Sequence, residues 1–229
     1  MSEILRVLTS EEAKGVGLFV AGGAIALAGM GYRRTLNRFD ERVEALEIDE
    51  MTGLYMREVW KQKSVDEMIA NPGSVFGIIF TDYNNFKKIN DTMGHDAGDF
   101  HLANGAGVLR YSTKKEDIRG RLGGDEFVAL MNLGENGSEV DIKNIVDRLK
   151  TTFNEYVFDA HMFYDIFHNE GKTRSPSFES LGAGISVGGA LLRIPEDAPR
   201  EDILELLEEA KKISDEAMFV DKRQSKRRS

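Results

Sequence analysis

The chain has no cysteine. That removes disulfides, thiolate zinc sites and cysteine nucleophiles together, and it fits a reducing compartment. It also lacks an excess of positive charge: 30 Lys and Arg stand against 39 Asp and Glu, a net charge of −9. Proteins that coat a nucleic-acid polymer show the opposite balance, so that class is disfavoured. A nucleotide ligand stays open, because a few basic groups or metal ions can meet its phosphates. Internal repeats are missing, and long uncharged runs are scarce, which excludes a many-span membrane protein. What remains is 229 residues, 41% apolar and 30% charged. This is an ordinary globular composition, long enough for one or two domains with a real core.

Residues 1–14 are short and mixed in charge. Gly15 to Tyr32 follow as eighteen residues without a charge, six of them Gly and four Ala. Three readings compete for this run: a single membrane anchor, a Gly-rich packing segment, and a cleaved signal ending near Ala26-Leu27-Ala28. Small residues four apart, such as Gly22 and Ala26, suit close helix approach. Arg33, Arg34, Arg38 and Arg42 follow the run, while Arg6 and Lys14 precede it. On the positive-inside rule the expectation is a single-pass inner-membrane protein with its C-terminal part in the cytoplasm. Residues 33–48 read as a linker helix. Leu36, Phe39, Val43 and Leu46 form a heptad stripe, either a parallel dimer stalk or a helix packed on its own domain. Residues 1–48 leave no room for a sensory domain, so the input is expected from an unidentified partner, the membrane or self-association.

Residues 49–229 read as one domain. Met56–Ala70 has a helical pattern stopped by Asn71-Pro72-Gly73, and Val75–Phe80 is an apolar run of strand length. Helices are expected around Phe86–Met93 and Ala97–Tyr111. Ile118–Leu122 and Phe127–Met131 flank Gly123-Gly124-Asp125-Glu126, a hairpin signal. Glu139–Val157 and Arg200–Val220 are helical, and Ala183–Leu192 is a glycine-broken strand with an expected bulge. The order βααββαβα predicts an α+β fold, an antiparallel sheet with its helices segregated on one side. Residues 159–180 read as an inserted loop or loop-plus-helix, where His161 and His168 lack a third ligand for a metal.

Three clusters carry chemistry. Asp82-Tyr83-Asn84-Asn85-Phe86-Lys87 sits at a strand's end, where α/β proteins often bind ligands and where a following turn offers free N–H groups to phosphates. Gly123-Gly124-Asp125-Glu126-Phe127 is a tight turn presenting two adjacent carboxylates, and a carboxylate set from different strands is a hard-oxygen site suited to Mg²⁺. Asn90-Asp91, Gly94-His95 and Gly98-Asp99 supply the mixed donors and acceptors that a guanine edge requires. Each cluster alone has a plain structural explanation as a cap or a hairpin.

The combination is specific. FTDYNNFKKINDTMGHDAGD followed some 20 residues on by RLGGDEF resembles the GGDEF-domain diguanylate cyclases. The resemblance spans about residues 49–229. It includes Asp49-Glu50-Met51-Thr52-Gly53-Leu54 with Arg57, Ile185-Ser186-Val187-Gly188, and Ser214-Asp215-Glu216-Ala217-Met218-Phe219 with Lys222. It implies a ferredoxin-like sheet, βααββαβ, akin to nucleotidyl-cyclase and polymerase palms. It implies condensation of two GTP into cyclic di-GMP with loss of pyrophosphate, by a homodimer holding one GTP per protomer. By position, Asp82, Asp125, Glu126 and the Tyr83 carbonyl would hold Mg²⁺ or Mn²⁺. Asn90 and Asp99 would read guanine, with His95 and Phe86 close by. Lys87, Lys222 and Lys226 would meet phosphates, and Asp125 would accept the 3′-hydroxyl proton beside Glu126.

The sequence departs from that pattern in three places. Position 84 is Asn where the family carries a second Asp. The R-x-x-D of the family's inhibitory product site appears as Lys114-Lys115-Glu116-Asp117, and Lys cannot reproduce an arginine's bidentate contact; weak or absent product inhibition is expected. The tail's Gly and Arg are replaced by Ser225 and Lys226. These departures keep open an alternative, a GGDEF module that binds GTP or cyclic di-GMP without turnover. Asp99 disfavours an adenine-containing product.

Overall fold

A computed structural model describes residues 47–168 and 176–228. The segments 1–14 and 15–32, and all but the last two residues of 33–48, lie outside the described residues, as do residues 169–175 of the expected insert. The elements are β1 (Tyr55–Met56), α1 (Arg57–Ala70), β2 (Val75–Asn84), α2 (Phe86–Met93), α3 (His95–Ser112), β3 (Ile118–Gly123), β4 (Glu126–Asn132), α4 (Glu139–His168), β5 (Gly184–Arg193) and α5 (Arg200–Arg228).

The sheet order is β1-β3-β4-β2-β5. Strands β2 and β3 are joined through α2 and α3 with β4 inserted between them, and β4 and β5 through α4 with β2 between them. Every pairing among these four strands is antiparallel. This is the ferredoxin-like arrangement expected of the βααββαβ order. The two-residue β1, which takes Met56 from the start of the expected helix, adds a short parallel pairing to β3.

Helices cover both faces of the sheet, which corrects the expectation that they lie on one side. The reason is in β2. Phe76, Ile78, Ile79 and Phe80 are all buried, and a strand apolar on both faces needs cover on both. Phe76, Ile78 and Phe80 pack with Trp60, Val65 and Met68 of α1 and with Ile203 and Leu207 of α5. Ile79 and Tyr83, with Phe127, Ala129 and Met131 of β4, pack under Ile89 of α2, Leu102 of α3, and Leu149 and Phe153 of α4.

The β5 register against β2 is unbroken from Val75↔Arg193 to Asn84↔Gly184, so the expected bulge is not in that strand. It lies in the hairpin, between Arg121 and Gly123. Gly188 serves packing instead. A Cβ there would overlap the Ser214 carbonyl oxygen and the Met218 nitrogen, so the glycine lets the α5 backbone lie directly on the strand. Helix α4 runs past Val157 to His168 and helix α5 past Val220 to Arg228.

The single-pass inner-membrane placement is also corrected. Among the described residues, no helix is long and apolar enough to cross a membrane. The long helices are charged along their length, as REDILELLEEAKKISDEAMFVDKRQSKRR in α5 shows.

Candidate active site

The β3–β4 hairpin turns through Gly123 (φ 144°) and Gly124 (φ 52°), backbone conformations that L side chains rarely adopt. Two arginines hold this turn. Arg121 donates from Nε and Nη2 to the Gly124 carbonyl at 3.0 and 2.8 Å. Arg57, at the start of α1, donates from Nε and Nη2 to the Leu122 carbonyl at 2.9 and 2.6 Å. Arg121 in turn pairs through Nη1 with Asp49 at 3.0 Å. Asp49 also accepts from the Thr52 backbone N–H at 2.9 Å and hydroxyl at 2.6 Å. Burial pushes the Asp49 carboxyl up, but the Thr52 and Arg121 hydrogen bonds outweigh it and hold the group below its usual range. Arg110 closes the circuit by donating to the Thr52 carbonyl. The Asp49–Leu54 segment and the glycine turn are therefore one hydrogen-bonded assembly.

That assembly sets Asp125 and Glu126 beside β2. Glu126 lies directly across from Asp82 in the β2–β4 register, and Ser186 lies across from Asp82 on the other side. Burial pushes the Asp125 carboxyl up, and the charge of Asp82 pushes it further. Glu126 is raised by the same two causes in the same order, with Arg57 opposing. Asp82 thus lies beside two half-buried carboxyls whose proton affinity it raises, and the three form a site short of positive charge. Lys222 of α5 supplies it, with its ammonium on Asp82 Oδ1. Among the described residues, no three acidic or histidine side chains are gathered tightly enough to hold an ion as they stand. The chemistry of the donors nonetheless fits a hard divalent cation: carboxylate oxygens from two strands, beside the ammonium on Asp82.

Tyr83 is a core residue. Its ring stacks on Phe127 at 5.0 Å and meets His101 at 5.2 Å and Phe153 at 5.1 Å. Gly105 of α3 leaves the space its hydroxyl fills. Its side chain is thus committed to packing, and what it retains for a ligand is the backbone carbonyl. Asn84, on the same face of β2 as Asp82, accepts from the Ser186 hydroxyl at 2.8 Å.

Asn90 and Asp99 flank the junction of α2 and α3. The Gly94 N–H donates to the Asn90 carbonyl at 2.9 Å, and Gly94, at φ 91°, breaks the chain into the second helix. The Asn90 amide lies across Gly98, where any Cβ would collide with it. His95, Asp99 and Lys87 are exposed, and Phe86 is half-buried against the core. Asn85 sits at φ 60° and donates to the Gly182 carbonyl at 2.8 Å, which ties this loop to the end of the expected insert. The side chain of Lys226 lies outside the described residues.

Lys114 and Asp117 lie elsewhere, before β3, at the opposite end of the sheet from Asp82. Asp117 accepts from the Lys114 N–H at 2.6 Å, and burial pushes its carboxyl up. Arg119 donates to the Thr113 hydroxyl at 2.7 Å and to the Lys114 carbonyl. A cavity of about 600 Å³ adjoins, lined among others by Tyr55, Lys63, Arg110, Lys115, Asp117 and Arg119.

Sequence reasoning missed the turn-holding role of Arg121. Its targets are a backbone carbonyl and a carboxylate 72 positions away, and neither leaves a pattern in the sequence. Asp221 was missed for the same reason. It accepts from Lys150 of α4 at 2.6 Å and from the Val187 N–H of β5 at 3.0 Å, and so fixes the helix turn that carries Lys222.

Comparison with known proteins bears on the family and the fold. A family model described as "Diguanylate cyclase, GGDEF domain" matches residues 46–167. Diguanylate cyclase DgcS of Shewanella oneidensis is 34% identical over 106 residues, covering 45% of this chain and 36% of DgcS. Diguanylate cyclase TpbB of Pseudomonas aeruginosa is 34% identical over 149 residues, covering 65% of this chain and 28% of TpbB. The chain thus spans about a third of the length of these curated relatives. The solved coiled coil and GGDEF domain of DgcB from Caulobacter crescentus, in complex with c-di-GMP, shares the fold. Its TM-score is 0.65 at 16% identity, over 89% of this chain and 95% of that one.

Proposed function

The chain belongs to the GGDEF-domain diguanylate cyclase family, and from that premise we propose that it condenses two GTP molecules into cyclic di-GMP, releasing two pyrophosphates, as a homodimer with one GTP per protomer. The observation that carries this reading is the meeting of Asp82, Asp125 and Glu126 at one end of the sheet, with Lys222 as their counter-ion. Asn90 and Asp99 at the α2–α3 junction offer the acceptors and donors that match guanine's O6, N1–H and N2–H₂. His95, Phe86 and Lys87 flank the same path, and Lys222 and Lys226 are the cations for the phosphates.

In each bond-forming step, the 3′-hydroxyl oxygen of one GTP attacks the α-phosphorus of the other. The bond from that phosphorus to the bridging oxygen breaks, and pyrophosphate leaves. The hydroxyl proton goes to Asp125, whose carboxylate is made more basic by burial and by Asp82. A second such step closes the ring. Asp82, Asp125, Glu126 and the Tyr83 carbonyl would hold Mg²⁺ or Mn²⁺, which when bound supplies Lewis-acid stabilisation of the phosphate charge. The protein's own share is position and electrostatics. One protomer presents one site and the reaction needs two nucleotides face to face, so activity follows the population of dimers.

The test is product identification with the full chain, GTP and Mg²⁺. Cyclic di-GMP is expected from the wild type. Asp125→Ala is expected to bind GTP without turning it over, and Asn90→Ala and Asp99→Ala to raise KM for GTP. GTP bound and left unchanged by the wild type would overturn the cyclase reading in favour of a binding module.

A further inference from the structure

Resting on that assignment of the carboxylates, we infer that Lys222 is a built-in counter-ion that holds Asp82 until a divalent cation displaces it, so that metal entry and release of the lysine are one event. The pair is sheltered: the Asp82 side chain is 13% exposed and that of Lys222 26%. Its ammonium sits on one of the three carboxylates that the site needs for an ion. A divalent cation and an ammonium on that carboxylate repel each other at close range, and in a partly buried site that repulsion sets them in competition for it.

The contacts around Lys222 anchor the helix turn that carries it, while its ammonium rests on Asp82. Asp221, the residue before it, spans Lys150 of α4 and the outward Val187 N–H of the edge strand β5. Gly188 lets the α5 backbone rest on that strand without an intervening side chain. The helix is thus pinned on two sides one residue away from the lysine. What can yield to an arriving ion is the long flexible stem of Lys222, not the helix. The ammonium is delivered from α5 to the same end of the sheet where the nucleotide's phosphates are expected. Once displaced, it becomes available to them without crossing the site.

The consequence is a pair of opposite effects from one substitution. In Lys222→Met, divalent-ion affinity without nucleotide rises, because the competing charge is gone. In the same variant KM for GTP rises, because the phosphates lose a cation. A residue that merely supported the fold would weaken both. The experiment uses the full chain without nucleotide and follows free Mn²⁺ by its EPR signal. Lys222→Met is expected to bind Mn²⁺ about tenfold more tightly than the wild type, the order expected for removing one adjacent like charge at a partly exposed site. Lys222→Arg is expected to restore wild-type affinity, and Asp82→Asn to lose the site in either background. Unchanged or weaker Mn²⁺ binding by Lys222→Met, with loss in Asp82→Asn, would overturn the lysine's role alone. Mn²⁺ bound as well by Asp82→Asn as by the wild type would overturn the carboxylate assignment on which the inference stands.

Discussion

His101 makes the fold sensitive to acid in a way that can be worked out from its surroundings. The residue is fully buried on α3, between Tyr83 (5.2 Å between ring centroids), Phe153 (5.6 Å), Tyr156 (5.9 Å) and Phe178 (5.2 Å). Its Nδ1 lies 3.4 Å from the Tyr156 hydroxyl, and its Nε2 has no hydrogen-bond partner among the described residues. Burial among rings disfavours the imidazolium, lowering the pKa from 6.5 to about 4. The folded state therefore binds the proton less readily than the unfolded state. Stability is complete above pH 6.5 and is lost as pH falls toward about 4. Each pH unit in that window removes about 1.4 kcal/mol, so about 3 kcal/mol is lost across it, a large part of the ~5–15 kcal/mol that holds a typical domain. His101→Gln keeps a polar partner for Tyr156 and does not titrate. The assay is denaturant unfolding from pH 7 to pH 4, followed by the fluorescence of Trp60, the one tryptophan of the chain, which is buried against Gly120. The difference between wild type and variant isolates His101 from the carboxylates common to both. The variant is expected to gain on the wild type as pH falls. Parallel curves would refute the argument.

Three further outcomes follow from the geometry. Gly188→Ala forces a Cβ into the α5 backbone, 3.0 Å from the Ala217 carbonyl carbon and closer still to two other backbone atoms, and is expected to cost about 3 kcal/mol; Gly107→Ala, on α3 with nothing within 4 Å, is expected to stabilise by about 0.5–1 kcal/mol, and thermal unfolding of the pair checks both signs. Arg121→Ala unclasps the glycine turn from Asp49 and is expected to lower kcat far more than it lowers Tm, with a stability loss of about 1–3 kcal/mol; a variant with wild-type kcat would show that the turn holds itself. Cyclic di-GMP added to a turnover assay is expected to inhibit weakly, because Lys114 offers no fork of donors and Arg119 is already engaged by Thr113 and Lys114. Tight, saturating inhibition would contradict this.

Much of the architecture is legible in the sequence, for physical reasons. Val75–Phe80 is an apolar run of strand length bounded by Pro72-Gly73 and Thr81-Asp82, which favours a buried strand, and the Gly123-Gly124 pair supplies the positive φ values a tight hairpin needs. What escapes is the side of the sheet each helix takes. An amphipathic pattern says that a helix has an apolar face and not which layer receives it. Glycines mislead in the same way. Those at 188 and 189 look like a bulge along the strand, yet they mark where α5 and Ile142 press on the sheet. In the site, Asp82, Asp125 and Glu126 announce themselves by motif. Arg121, Lys150 and Asp221 hold the elements around those carboxylates through contacts spanning 34 to 72 residues, and such contacts exist only once the chain has folded. Tyr83 is a warning of another kind. It stands in the motif, yet its ring belongs to the core.

The measurement that bears most directly on the account is the product formed by the purified full chain from GTP and Mg²⁺, identified by mass spectrometry over a range of protein concentrations. Cyclic di-GMP is expected, with turnover per protomer rising as protein concentration rises and no product from Asp125→Ala. GTP bound but left intact at every concentration would contradict it.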